Sequence, residues 1–388
     1  MREIILMIRL WQIKLKDAVF SEYILTFYFR CAKLLVTLQK GERDMSFYDA
    51  KELGRPTEEY SNHRIPGMLV TNCGTLLVYC EARRTASDWA TMDILLQRST
   101  DGGASFSSPY KLAEGNETHK TVNNPVMMQD KNGRIHFLYC EDYTVCGGRA
   151  QRRYSDDDGI SWSEPIDISE ATQPEYHNAC AFGPGHGITA PDGTLIVPVW
   201  MVPRSFEAPI RSHDPSVIST FYSKDNGESW SLGEILQTSA EIICPNETVA
   251  ALTSGGEVYL NIRFKGYCRA RAYSKNGYSD WRGYLPDYHL PDPQCFGSVA
   301  AYDDGKHPYT LIFANCATKE GRSNVTVRAS FDDGLSYPVS RLIDRERGGY
   351  VEVAVDNVAG VIYLLYEDKF GTTDHLVRFD YEWLCENQ

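Results

Sequence analysis

Ser99-Thr-Asp101-Gly-Gly103-Ala-Ser-Phe106 returns three times with small changes. The copies are Ser155-Asp-Asp157-Asp-Gly159-Ile-Ser-Trp162, Ser223-Lys-Asp225-Asn-Gly227-Glu-Ser-Trp230 and Ser330-Phe-Asp332-Asp-Gly334-Leu-Ser-Tyr337. A worn copy, one residue short, stands at Ser274-Lys-Asn276-Gly277 with Trp281 after it. The shared pattern is Ser-x-Asp-x-Gly-x-x-aromatic, and its chemistry is that of a hairpin turn. The Asp carboxylate holds turn amides, the Gly takes positive φ, and the aromatic ring packs on a neighbouring strand. Strand-like runs flank the copies, such as Thr75–Cys80 and Thr194–Trp200. The Ser positions are 56, 68, 51 and 56 residues apart. A period of this length with four short strands per unit is that of propeller blades. Residues 45–388 number 344, and a sixth of that is about 57, so six blades are expected in an all-β fold. Asp156-Asp157-Asp158-Gly159 lacks the full twelve-residue calcium loop and its terminal Glu. The Asp repeats are therefore read as structural.

The bulk composition agrees with one large β unit. The chain has 388 residues, 43% hydrophobic, with 24 Tyr, ample for a sizeable core rich in strand formers. Its formal net charge of -13 argues against nucleic acid as a partner. Eleven Cys are scattered without a CxxC pair or a Cys/His cluster at zinc spacing. Free, mostly buried thiols in a reducing compartment follow, and neither metal nor cofactor is expected. Residues 1–44 stand apart, with 8 Lys+Arg against 5 Asp+Glu, leaving 31 against 47 for residues 45–388. Charges interrupt this stretch throughout. Its longest uncharged aromatic run, Tyr23 to Phe29, is too short for a membrane span and marginal for a signal peptide. We read it as a loosely attached extension, or a start placed ahead of a functional Met45, and expect a cytoplasmic protein, with secretion as the alternative. The sequons at Asn116, Asn246 and Asn324 are read as coincidental.

Three Arg-bearing segments carry the functional signal. They are Arg64-Ile65-Pro66, Leu260-Asn261-Ile262-Arg263 sixteen residues after Glu247, and Arg322-Ser323-Asn324-Val325-Thr326 with Tyr350 twenty-eight residues on. Guanidinium groups on a rigid scaffold suit a planar carboxylate, because each offers two parallel donors. Taken singly, an Arg is usually a solvated charge and a Tyr usually a packing residue; the ordered set is what points to a site.

These segments and repeats resemble the exo-sialidases of glycoside hydrolase family 33. The Ser-Asp-Gly turns look like that family's Asp-boxes and Arg64-Ile65-Pro66 like its RIP motif. Gly183-Pro184-Gly185-His186-Gly187-Ile188 and Pro293-Gln294-Cys295-Phe296-Gly297-Ser298 are similar to further family segments. The resemblance runs from about residue 60 to residue 370. It implies that Arg64, Arg263 and Arg322 grip the carboxylate of a sialic acid. It implies Asp88 as general acid/base, Tyr350 as nucleophile, and Glu247 as the acceptor of its proton. Glu367 would hold Arg64, while Arg83 and Asp93 would contact the O4 side of the sugar; Arg84 competes with Arg83. His186 is read as structural. The substrates implied are sialylated glycans, and the reaction is retaining hydrolysis without a cofactor.

Elementary chemistry supports these roles. The anomeric carbon of sialic acid bears a carboxylate, which would repel an Asp or Glu nucleophile but not a neutral phenol. A Tyr near pKa 10 needs a neighbouring carboxylate to take its proton. The general acid must hold a proton at working pH, so partial desolvation of Asp88 is expected. Two departures from the family stand out: Val-Glu-Val-Ala-Val follows Tyr350 where many members have Ser-Asp-Leu, and Asn315-Cys316 replaces the usual Asn-Pro. Transglycosylation or intramolecular release would use the same set. A non-catalytic glycan-binding propeller would be expected to lose Asp88, Glu247 or Tyr350, and an unrelated Asp-box propeller would not need the spaced Arg set.

Overall fold

The computed structural model describes residues 46–116, 121–141, 148–171, 179–202, 214–368 and 371–385; the extension read at 1–44 lies outside them. Six small sheets, antiparallel but for the parallel pairing of Gly185–His186 with Val126–Met127, form a ring, a six-bladed β-propeller. Blade I is Asn62–Val70, Leu76–Arg83, Met92–Ser99 and Tyr110–Glu114. Blade II begins with Val122–Gln129, Ile135–Glu141 and Arg149–Ser155, and blade III with Ala179–Phe182, Leu195–Val202 and Val217–Ser223. Blade IV is Thr248–Leu252, Val258–Ile262, Cys268–Ser274 and Arg282–Pro291. Blade V is Ser298–Tyr302, Thr310–Cys316, Val325–Ser330 and Val339–Asp344. Blade VI takes Val351–Asp356, Glu367 at the end of Val361–Glu367, and Asp374–Phe379 from the end of the chain, and its outermost strand, Tyr48–Glu52, from near the beginning. Tyr48 pairs with Phe379 and Glu52 with His375. Ring closure is therefore a strand pairing between sequence-distant segments.

Burial follows position within a blade. Second strands are packed on both faces, so they read as continuous apolar runs; Leu195–Val202 is buried at every residue. The outermost strand Tyr48–Glu52 alternates between exposed and half-buried residues.

The Asp-boxes sit where the repeat predicts, at the end of the third strand of blades I to V. In the first, Ser99 Oγ donates to Asp101 Oδ1 at 2.8 Å and accepts the Gly103 N–H at 2.8 Å. Asp101 also accepts the Ser105 N–H at 2.9 Å and hydroxyl at 2.5 Å. The same four bonds recur around Asp157, Asp225 and Asp332. The second Ser of the motif, a free position in the sequence pattern, is thus part of the turn. These bonds, the Ser161 hydroxyl first, hold the Asp157 carboxyl down at about 2. The box glycines have φ near 80°, Gly227 at 82°. They also let one blade approach the last: a Cβ on Gly227 would stand 2.5 Å from His136 of blade II, and one on Gly334 3.0 Å from Tyr259 of blade IV. The worn copy keeps the function with an amide, Asn276 Oδ1 accepting the Tyr278 and Ser279 N–H groups at 3.0 and 2.9 Å.

Candidate active site

Two bulges shape the pocket. In blade I the register slips between Arg64 and Gly67, and Ile65 takes φ of 56°, a left-handed setting that β-branched residues rarely adopt. Pro66 brings no N–H to a ladder that is interrupted here. The Ile65 N–H finds its acceptor across the ring closure, Glu367 Oε1 at 2.6 Å. Glu367 Oε2 accepts Arg64 Nε at 3.0 Å and the Tyr350 N–H at 3.2 Å. Blade II repeats the device: the register slips between Asn123 and Val126, Asn124 has φ of 51°, and Pro125 follows. The Asn124 N–H goes to Glu81 Oε1 at 2.8 Å, and Glu81 Oε2 takes Arg83 Nε and Nη2 at 2.8 and 2.6 Å. Each bulge delivers the residue ahead of it, Arg64 or Asn123, to the pocket wall.

The pocket has a volume of about 190 Å³ and is lined by Arg64, Arg83, Asp88, Glu247, Arg263, Arg322 and Tyr350, with Ile65, Asn123, Asn124, Trp200 and Asn246. Tyr350 opens blade VI and is only 6% exposed. Its hydroxyl donates to Glu247 Oε1 and accepts from Arg263 Nη1 at 3.0 Å. Arg263 is also ion-paired with the other Glu247 oxygen. The guanidinium carbons of Arg64 and Arg322 lie 5.3 and 5.4 Å from the Tyr350 ring centroid. Burial, then the Glu247 carboxylate, pushes the Tyr350 phenol well above its ordinary pKa, against the pull of Arg263 and Arg322. The phenol is therefore neutral in the free site, with its proton already directed at a base. The Cys295 and Cys316 thiols both donate to Gly349 O, at 3.1 and 3.3 Å. Cys316, where Asn-Pro is usual, thus braces the residue before Tyr350.

The fold brings Arg64, Arg83, Asp88, Glu247, Arg263, Arg322 and Tyr350 into this one pocket, with Glu367 directly behind Arg64. Arg322, read from little more than its distance to Tyr350, is among them, and Arg83 rather than Arg84 faces the cavity. One expectation is corrected. Asp93 does not line the pocket: its carboxylate is buried and taken up by the Tyr60 hydroxyl at 2.5 Å and the Gly115 N–H at 2.9 Å. Asp88 is half-buried in the free site, its side chain 50% exposed and ion-paired with Arg83 Nη1 at 2.5 Å. Sequence reading missed Glu81, Asn123 and Trp200. Glu81 carried a signal, since Asn124-Pro125 repeats Ile65-Pro66 and needs a carboxylate behind it, as Ile65 needs Glu367. His186 is bonded to the buried Glu352 at 2.5 Å and lies outside the lining.

Comparison with known proteins narrows the family. Residues 111–358 match the family described as BNR repeat-like domain. A sialidase of Clostridium perfringens is 31% identical over 342 residues, 77% of this chain and 85% of its own length. An exo-alpha-sialidase of Arthroderma benhamiae is 26% identical, over 84% of this chain and 85% of its own length. A sialidase of Bacteroides fragilis is 29% identical over 71% of this chain but 54% of its own length, so the chain spans about half of that relative. Among solved structures a Hadza microbial sialidase has the same fold, with a TM-score of 0.76 at 24% identity, covering 86% of this chain and 69% of its own. With the BNR match spanning 111–358 and 31% identity to a sialidase sustained over most of both chains, this chain belongs to the BNR-repeat sialidases, a family of glycoside hydrolases.

Proposed function

We propose that this protein is an exo-α-sialidase that releases terminal sialic acids from glycans by a retaining mechanism with Tyr350 as nucleophile. One observation carries the reading: a buried, neutral Tyr350 hydroxyl donates to Glu247 while three guanidinium groups surround the same ring. Arg64, Arg263 and Arg322 bind the substrate carboxylate and fix the anomeric carbon over the phenol oxygen. Glu247 takes the Tyr350 proton as the oxygen–carbon bond forms. Asp88 protonates the departing glycosidic oxygen and later takes a proton from the water that releases the sugar. Sialidases with a Tyr nucleophile depart from the usual two-carboxylate scheme, and the charge on the substrate gives the reason. On this reading the half-exposed Asp88 faces the leaving group, which on binding completes its desolvation.

The test is release of a fluorogenic aglycone from an α-sialoside by wild type, Asp88→Ala and Tyr350→Phe. Wild type turns over, and both variants lose at least a hundredfold in kcat. An inert wild type from acidic to neutral pH sinks the sialidase reading. An active wild type with an unimpaired Tyr350→Phe sinks the nucleophile alone. Product analysis with added acceptor sugars separates hydrolysis from transfer.

A further inference from the structure

A second cavity, of about 600 Å³, lies beside blade I and is lined by His63, Cys80 and Asp374, with Gly54, Tyr60 and Lys111 among its other walls. His63 pairs across the sheet with Ala82, two residues from Cys80. Strand alternation therefore sets His63 and Cys80 on one face of blade I and Arg64, Glu81 and Arg83 on the other. Asp374 arrives from blade VI, where it pairs with Glu367. One imidazole nitrogen, the thiol sulfur and one carboxylate oxygen all lie within 4.8 Å of one another.

These groups are poorly satisfied as they stand. His63 is 8% exposed and Asp374 5%. Neither ring nitrogen of His63 has a hydrogen-bond partner, and neither has Asp374 Oδ1. His63 Nδ1 and Asp374 Oδ2 are 3.9 Å apart, too far for a hydrogen bond. Buried polar atoms are normally paired, so three such orphans in one cluster call for an explanation. Gly54 leaves the room: a Cβ there would stand 2.4 Å from His63 Nδ1 and 3.0 Å from Asp374 Oδ2.

We propose that His63, Cys80 and Asp374 form a binding site for a divalent transition metal of the zinc class, with the fourth coordination position open to the second cavity. Nitrogen, sulfur and carboxylate oxygen together are a zinc donor set, whereas calcium and magnesium take oxygen ligands. Binding releases the Cys80 thiol proton. The thiolate and the carboxylate then balance the two positive charges, and the imidazole stays neutral. A tetrahedral site spaces its ligand atoms by about 3.5 Å, so the three side chains close in by roughly 1 Å. The metal ties blade I to blade VI beside the ring closure, one residue from Arg64, and takes no part in the hydrolytic steps. The ligands are 17 and 294 residues apart in sequence, a spacing that no local motif search would notice.

The test uses the full chain, stripped with chelator and titrated with Co²⁺. One equivalent binds, with the intense visible bands of a tetrahedral site and a near-ultraviolet sulfur-to-metal charge-transfer band, and Zn²⁺ displaces it. Cys80→Ser abolishes the charge-transfer band and weakens Co²⁺ at least tenfold, Asp374→Asn weakens Co²⁺ at least tenfold but keeps the band at saturation, and Cys73→Ser, at an exposed thiol, changes neither. A second readout needs no variant: Zn²⁺ slows alkylation of Cys80 at least fivefold, read by peptide mass spectrometry, and leaves Cys73 unchanged. A Co²⁺ spectrum without the sulfur band, a band unaltered by Cys80→Ser, or equal labelling of Cys80 with and without Zn²⁺ overturns the proposal.

Discussion

Replacing Glu367 by Gln should separate the anchoring of the arginine cluster from the chemistry it serves. Glu367 is 1% exposed and accepts three donors: Arg64 Nε at 3.0 Å, the Ile65 N–H at 2.6 Å and the Tyr350 N–H at 3.2 Å. Gln keeps the volume but only one acceptor oxygen. If that oxygen keeps the Ile65 bond, the new NH₂ faces Arg64 and the Tyr350 N–H, donors against a donor. Breaking a buried ion pair from one side costs about 3–5 kcal/mol. Arg64 retains 18% side-chain exposure, so water recovers part of that, and we expect a loss of about 2–4 kcal/mol in stability. The kinetic effect follows from Arg64 losing its fixed orientation. A charge-assisted bond to the substrate carboxylate is worth about 1.5–3 kcal/mol, or roughly 10–150-fold. On the proposed role of Arg64 that contact is made by ground and transition states alike, so the loss falls on KM more than on kcat. Urea unfolding gives the first number and steady-state kinetics with a fluorogenic sialoside give the second. A variant with wild-type unfolding midpoint and wild-type KM would refute the anchoring role, and an effect confined to kcat would refute the assignment of Arg64 to carboxylate binding.

Further predictions concern the base, the blade contacts and pH. Glu247→Gln removes the acceptor of the Tyr350 proton, and kcat should fall about 10²–10⁴-fold with KM changed far less; a wild-type kcat would exclude Glu247 as the base. Gly227→Ala must place a Cβ at φ of 82° and 2.5 Å from His136, for a loss of about 2–5 kcal/mol. Gly321→Ala, with φ of 70° and nothing within 4 Å, should lose about 1 kcal/mol; equal urea midpoints would show that blade contact is not what the box glycine serves. Burial, opposed by Asp130, lowers His136 from 6.5 to about 4. The unfolded chain therefore takes up a proton that the folded chain refuses. This stability is complete above pH 6.5 and is lost as pH falls toward 4, by at most about 3 kcal/mol. His136→Gln should flatten that part of the urea-midpoint profile, and an unchanged slope between pH 6.5 and pH 4.5 would clear His136 of the effect.

Local chemistry made the blades legible. A Ser-x-Asp-x-Gly turn must satisfy its own amides, so its residues lie within eight positions and repeat wherever the turn repeats. The same locality let the worn copy at Ser274 be recognised from Asn276 and Gly277. Ring closure left no comparable trace, because Tyr48–Glu52 pairs with a strand more than three hundred residues away and has an ordinary alternating pattern. The site shows the same division. The arginines, Asp88, Glu247 and Tyr350, singled out by their order along the chain, line one pocket. Asp93 was misplaced because strand position alone does not tell which side chain reaches the pocket and which meets Tyr60. The pairing of Asp88 had no sequence signal, because Arg83, already held by Glu81 through Nε and Nη2, has Nη1 left for the Asp88 carboxylate. Glu81 and Glu367 do equivalent work behind two equivalent bulges, yet only Glu367 lies in a stretch that the family resemblance covers with a role.

The central claim is that Tyr350 oxygen, and no carboxylate, forms the bond to the sugar. A 3-fluorosialyl fluoride tests it directly: the ring fluorine slows formation and breakdown of the oxocarbenium-like state, while fluoride remains a good leaving group. Attack by Tyr350 breaks the carbon–fluorine bond, forms the aryl glycoside and passes the phenol proton to Glu247. Peptide mass spectrometry of the inactivated protein should find one fluorosialyl group per chain, on Tyr350. The same adduct on Glu247 or Asp88, or turnover of the fluoride with no adduct at any time, would contradict the account.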